Sequence, residues 1–75
     1  MIYGYALKTE NEEGLLSLRE ISFQAPPSVL RAVARLLNDC ANELENEGTT
    51  KHWHRHCSSE LASDLEAELV VIAPD

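Results

Sequence analysis

A chain of 75 residues is long enough for one domain, spanning residues 1–75, with a thin hydrophobic core. Thirteen acidic and six basic residues give a formal charge of −7, which argues against nucleic acid as a partner and favours a basic protein surface. The two cysteines are too few for a disulfide scaffold, no apolar run reaches the ~20 residues of a membrane span, and the opening residues carry no signal-peptide pattern. We therefore expect a cytoplasmic protein.

The first 24 residues predict a β-hairpin. Alternating tyrosines and a leucine indicate a strand over residues 1–8, and the polar segment 9–14, which ends in glycine, indicates a loop. Residues 15–24 predict the second strand, in which one leucine pair and one Ile–Phe pair are out of phase. Either a β-bulge near Arg19-Glu20 returns both pairs to one face, or each pair is buried on a different face.

The most regular pattern begins at Pro27, a residue that suits the first turn of a helix, and runs to Glu47. Apolar residues recur there at steps of three and four, at Leu30, Val33, Leu37, Cys40, Ala41 and Leu44. The spacing predicts one long helix with Val33 and Leu37 buried beneath it and Cys40 inert in the core. Its charges oppose the helix dipole, with arginines in the first half and glutamates in the last turns.

The remaining residues predict two more strands. Residues 49–57 indicate the third strand, residues 58–66 a loop that includes one helical turn, and residues 67–73 the fourth strand. The apolar run 69–72 is typical of a strand covered on both faces. The predicted fold is an α+β two-layer sandwich in β-β-α-β-β order, a mainly antiparallel sheet with one long helix on one face. An uncovered sheet face favours a second copy, with a C2 homodimer the expected form.

A histidine-rich segment is the main candidate for chemistry. Alternation on a strand places three side chains on one face, namely His52, His54 and His56, and places Trp53 and Cys57 on the other. Imidazoles suit zinc or nickel, and a tetrahedral zinc site would need a further ligand such as Glu60 or Asp64. The other interpretations are a solvated polar strand face, which we favour, and a pH-sensitive interface. We expect exposed histidines and a tryptophan packed toward the core.

Catalytic motifs are not evident in the sequence. Cys57 follows His56 directly, and neighbours on a strand face apart, so a Cys–His nucleophile is disfavoured. The three glycines are isolated and form no phosphate-binding loop. A domain of this size with one long helix also has little room for an enclosed cleft. The sequence predicts a protein that is not an enzyme.

Three segments carry a resemblance to a known family: "SVLRAVARLLNDCANELE", "HRHC" and "ELVVIAP". Over residues 20–73 the chain resembles small bacterial immunity proteins of polymorphic toxin systems. His54 and His56 match the histidine pair of that pattern, and Cys57 stands in its hydrophobic place. The resemblance implies binding and neutralisation of a toxin domain without catalysis.

The leading hypothesis from the sequence is a small acidic bacterial protein that acts by binding another protein. The alternative, from a different class, is a small metal-binding protein that uses His52, His54 and His56. A third interpretation is a structural homodimer. The sequence itself does not identify a partner.

Overall fold

The computed structural model describes the backbone of residues 1–10, 14–47 and 53–74, and the side chains of residues 1–7, 14–46 and 53–74. Its elements in chain order are β1 (Ile2–Glu10), β2 (Leu16–Phe23), α1 (Pro27–Glu47), β3 (His54–His56), α2 (Ser59–Leu65) and β4 (Val70–Ile72). The α+β class and the β-β-α-β-β order are confirmed, with α2 as an additional short helix. Residues 49–52, the first part of the third strand predicted over residues 49–57, lie outside the described residues.

Within residues 1–10, 14–47 and 53–74, four strands form two antiparallel sheets of two strands each, β1 with β2 and β3 with β4. The sequence predicted antiparallel pairing within one sheet, whereas the two ladders stay separate in the described part of the chain. The β3–β4 ladder covers three residue pairs, with His54 opposite Ile72 and His56 opposite Val70. Each sheet therefore keeps two outer edges.

Of the two arrangements that the sequence left open for β2, the structure has the β-bulge. Tyr5 lies opposite Glu20, but the next residue of β1, Ala6, lies opposite Leu18, which leaves Arg19 as the extra residue. The bulge returns four large side chains to one side of β2, which we call the apolar face: Leu16, Leu18, Ile21 and Phe23. The opposite side, which we call the tyrosine face, carries Tyr3, Tyr5, Leu7, Arg19 and Glu20.

The buried core lies between α1, α2 and the β3–β4 ladder. Among the residues whose side chains are described, it consists of seven with under a tenth of their surface exposed, namely Val29, Val33, Leu36, Cys40, Cys57, Leu61 and Leu65. Trp53, Leu69 and Val71 are partly buried and pack against this cluster. The hairpin contributes Ile2 at its base. Most of the hairpin thus lies outside the core.

The predicted phase of α1 was partly wrong. Val33 and Cys40 are buried as expected, but Leu37 is 48% exposed and Leu36 is buried in its place. The steps 29, 33, 36 and 40 fit the helical repeat as well as the predicted steps 30, 33, 37 and 40. Periodicity alone could not choose between two apolar stripes that share Val33 and Cys40 and differ by about half a residue of rotation.

The segment predicted as a loop forms α2 because both of its ends are capped. The Ser58 hydroxyl accepts a hydrogen bond from the Leu61 amide at 3.1 Å. At the other end Glu66 adopts a left-handed conformation with φ 56°, and its backbone N–H bonds back into the last turn. These caps let a seven-residue helix bury two leucines, Leu61 and Leu65.

Hydrogen bonds explain the start of α1, and an ion pair bears on its acidic end. The Pro26 carbonyl accepts the first helical hydrogen bonds, from the amides of Val29 and Leu30, and Pro27 loses nothing by lacking an N–H. Near the other end, Arg55 of β3 reaches Glu43 of α1, with Nη1 and Oε2 3.4 Å apart. A tertiary partner therefore offsets part of the unfavourable charge order predicted for this helix.

Candidate protein-binding site

The histidine strand places two of its three imidazoles side by side on the surface. His54 and His56 are both exposed, and their ring centroids are 5.3 Å apart in an edge-to-face arrangement. The Nδ1 atom of His56 lies 3.2 Å from Oε1 of Glu68. The prediction that these two histidines are exposed is confirmed, and His52 lies outside the described residues.

A metal ion needs at least three well-placed protein ligands in a closed site of this kind. Within the described residues, no group of three His, Cys, Asp or Glu side chains comes close enough to hold one ion. Glu60 and Asp64, considered as further ligands, thus do not complete a site with His54 and His56 among those residues. The zinc or nickel site at His52, His54 and His56 stays a prediction.

The other side of this strand faces inward. Trp53 packs against the core, and Cys57 is buried, as alternation along a strand predicts. The Cys57 amide donates to the Leu69 carbonyl at 2.8 Å, and the Leu69 amide donates to the Cys57 Sγ at 3.4 Å. Cys57 therefore acts as a small core residue that anchors the segment before β4.

The tyrosine face is the most chemically distinctive surface in the described structure. Tyr3 is 54% exposed and Tyr5 is 59% exposed. The guanidinium carbon of Arg19 lies 5.0 Å from the centre of the Tyr5 ring, a cation–π arrangement that holds both groups at the surface. With Glu20 and Ser22, the tyrosines line a shallow depression. Tyrosine and arginine are enriched among the residues that dominate binding energy at protein interfaces.

The apolar face of the hairpin is equally open. Its four large side chains are between 37% and 53% exposed. From Tyr3 to Leu7 and from Gly14 to Phe23, every described residue is exposed. Neither face of this hairpin is covered along that length by the described parts of the chain.

Sequence reasoning assigned the candidate site to the histidine strand and did not single out Tyr3, Tyr5 or Arg19. The available signal was the hairpin itself, which has large side chains on both faces while the chain predicts only one long helix to cover them. A single helix covers one face of a sheet at most. The apolar side chains on the second face therefore indicated that the hairpin leaves apolar surface for a partner to cover.

Comparisons with known proteins yield no match, whether to a family model, to a curated protein or to a solved structure. The resemblance to immunity proteins therefore stays a prediction. Among the described residues, none of the helices combines the length and apolar character needed to cross a membrane.

Proposed function

We propose that this protein is a non-enzymatic binding module that recognises another protein through the tyrosine face of its hairpin. The observation that carries the proposal is the exposure of Tyr3 and Tyr5 beside Arg19 on a strand pair whose described faces are uncovered. Large amphipathic rings give contact area with few rotatable bonds, so ordering them in a complex costs little entropy. A stacked arginine adds a charged donor that is already in position.

The charge of the chain indicates the kind of partner. A formal charge of −7 on 75 residues creates a field that attracts a basic surface and accelerates its encounter. The glutamate on the tyrosine face, Glu20, provides an acceptor for a basic side chain at the contact itself. We therefore propose a basic protein partner, whose binding weakens as salt concentration rises.

The resemblance to immunity proteins suggests a use for such binding. A toxin domain in the cytoplasm would be neutralised by being covered, a task that requires surface complementarity without catalytic groups. Supporting this, the buried cysteines Cys40 and Cys57 carry no disulfide, as suits a reducing compartment. Toxin neutralisation in the cytoplasm is the specific form of protein binding that we propose.

A comparative capture experiment tests this assignment. The tagged wild-type protein and a Tyr3→Thr/Tyr5→Thr variant are used as baits in lysate of the native host, with quantitative mass spectrometry. Threonine keeps the preference for a strand and removes both rings. We expect a basic protein captured by the wild type to be at least tenfold depleted with the variant.

The matched control is a His54→Gln/His56→Gln variant, which changes the other candidate surface and leaves the tyrosines intact. We expect it to capture the same protein as the wild type. Loss of capture with the histidine variant, together with full capture by the tyrosine variant, would move the binding site to β3 and refute the proposal. A purified binary complex that weakens in higher salt would support the charge argument.

A further inference from the structure

We infer that the apolar face of the hairpin is a homodimer interface, at which Leu16, Leu18, Ile21 and Phe23 of one chain pack against a second copy. The inference does not depend on the proposed function, because the tyrosine face lies on the opposite side of the same strands. A two-fold axis would bring the same four residues of both chains together in an isologous contact.

The surface area of the chain is the first argument. The accessible area is 5992 Å². A compact monomer of this mass is expected to expose about 4,600 Å², so the chain exposes roughly 1,400 Å² more than a self-sufficient fold. A standard interface removes about 800 Å² per partner, and obligate homodimers remove more. The excess is therefore large enough for a stable dimer.

The dimensions of the chain agree with that excess. The radius of gyration is 13.4 Å, whereas a compact chain of this length is expected to have about 11 Å. The hairpin extends from the core and meets it mainly at Ile2. A second copy packed on the apolar face would turn this extended element into part of a shared core.

The chemistry of the face favours another copy over a basic partner. Residues 2–7 and 14–23 contain one arginine and one glutamate, and the bulge places both on the tyrosine face. The acidic residues that give the chain its negative charge lie largely on other elements. Among the side chains that the structure describes, the apolar face carries no charge, so two like-charged chains would repel each other least through it. A large patch of leucine, isoleucine and phenylalanine is also typical of homodimer interfaces, which resemble a domain core.

The hairpin also needs a permanent partner. A two-stranded ribbon is marginally stable in water unless a hydrophobic face is covered. A partner required for the folded state must be present wherever the chain is made, and a second copy always meets that condition. The aliphatic face is thus suited to a constant contact, while the tyrosine face has the composition of a surface for an exchangeable partner.

Size-exclusion chromatography with light scattering tests the inference on the purified full chain. At tens of micromolar protein we expect the wild type to have twice the 8.4 kDa mass of one chain. A Leu18→Thr/Ile21→Thr variant, which keeps strand preference but loses the apolar surface, is expected to have the mass of one chain. The Tyr3→Thr/Tyr5→Thr variant is the matched control and should remain a dimer.

A wild-type mass of 8.4 kDa at hundreds of micromolar would overturn the inference, even if the variants prove difficult to fold. A dimer that survives Leu18→Thr/Ile21→Thr but dissociates with Tyr3→Thr/Tyr5→Thr would overturn the choice of face. Circular dichroism of each variant checks that α1 is retained. Since capture of a basic protein and the mass of the free chain are read separately, either proposal can fail without the other.

Discussion

The chain contains two regions of similar hydrophobic content that differ in how far their apolar side chains are buried. The packed region consists of α1, α2, β3 and β4. Its core contains seven of the described residues, six from the two helices together with Cys57, which pack against one another. In the hairpin, side chains of comparable size remain near half exposed. The two regions differ because α1 packs against α2 and the β3–β4 ladder, whereas no helix packs along the described length of the hairpin.

This contrast shows that an amphipathic pattern predicts that a face is suited to burial and does not name what buries it. Leu36 and Leu65 are buried by contacts with other residues of the same chain. Leu18 and Ile21 have the same chemistry and are 48% and 50% exposed. At about 25 cal/mol per Å² of apolar surface, leaving such a patch in water forgoes several kcal/mol that a partner could supply.

The largest effect is expected from truncation at the centre of the packed region. Leu65 has no exposed surface, so Leu65→Ala should lower the free energy of unfolding by about 2–5 kcal/mol. The control is Leu37→Ala, which removes the same atoms from a side chain that is 48% exposed and should cost under about 1 kcal/mol. Urea denaturation followed by circular dichroism measures both. Equal losses would mean that α1 presents Leu37 to a core or to an interface.

An intermediate effect is expected at Gly4 of β1, where the neighbouring strand leaves little space for a side chain. A Cβ at Gly4 would lie 2.9 Å from the Glu20 carbonyl oxygen and 3.0 Å from a Leu18 methyl carbon. The first neighbour is backbone and cannot turn away, so Gly4→Ala should destabilise the protein by about 1–3 kcal/mol. Ser22→Ala, at an exposed position of the same hairpin, is the control and should change little. A wild-type melting curve for Gly4→Ala would show that the hairpin folds independently of the packed region.

The features of the fold that could be predicted from the sequence are those that depend on residues close together in the chain. The bounds of α1 follow from Pro27 and from apolar repeats, which depend on residues close in sequence. The phase change in β2 indicated either a bulge near Arg19 or burial on both faces, and the cross-strand register decides between them. The burial of Leu36 instead of Leu37 depends on how α1 is rotated against α2, which is a long-range contact. The separation of the four strands into two ladders also depends on long-range placement.

In the candidate site, too, features set by residues close in sequence were predictable, and features set by long-range contacts were not. Alternation on β3 correctly placed His54 and His56 outward and Trp53 toward the core. It could not show that Arg19 lies over the Tyr5 ring, because that contact needs the bulge and the cross-strand register together. Surface recognition depends on such juxtapositions across strands. A sequence pattern confined to one strand therefore pointed to the histidines and missed the tyrosine face.

The smallest expected effect, and the only stabilising one, comes from the end of α2. Glu66 holds a left-handed backbone with φ 56° and ψ 33° in order to cap the helix, a conformation that costs an L-residue about 1–2 kcal/mol. Glycine adopts it without that penalty but loses more freedom on folding, so Glu66→Gly should raise the free energy of unfolding by about 0.5–1 kcal/mol. The control is Glu66→Gln, which removes the same negative charge and keeps the strained backbone, so it separates electrostatics from conformation. Chemical denaturation should show stabilisation for glycine that glutamine does not reproduce. If both variants were stabilised equally, the relief of charge repulsion in this acidic chain would explain the gain. The backbone argument for why α2 ends at Glu66 would then be lost.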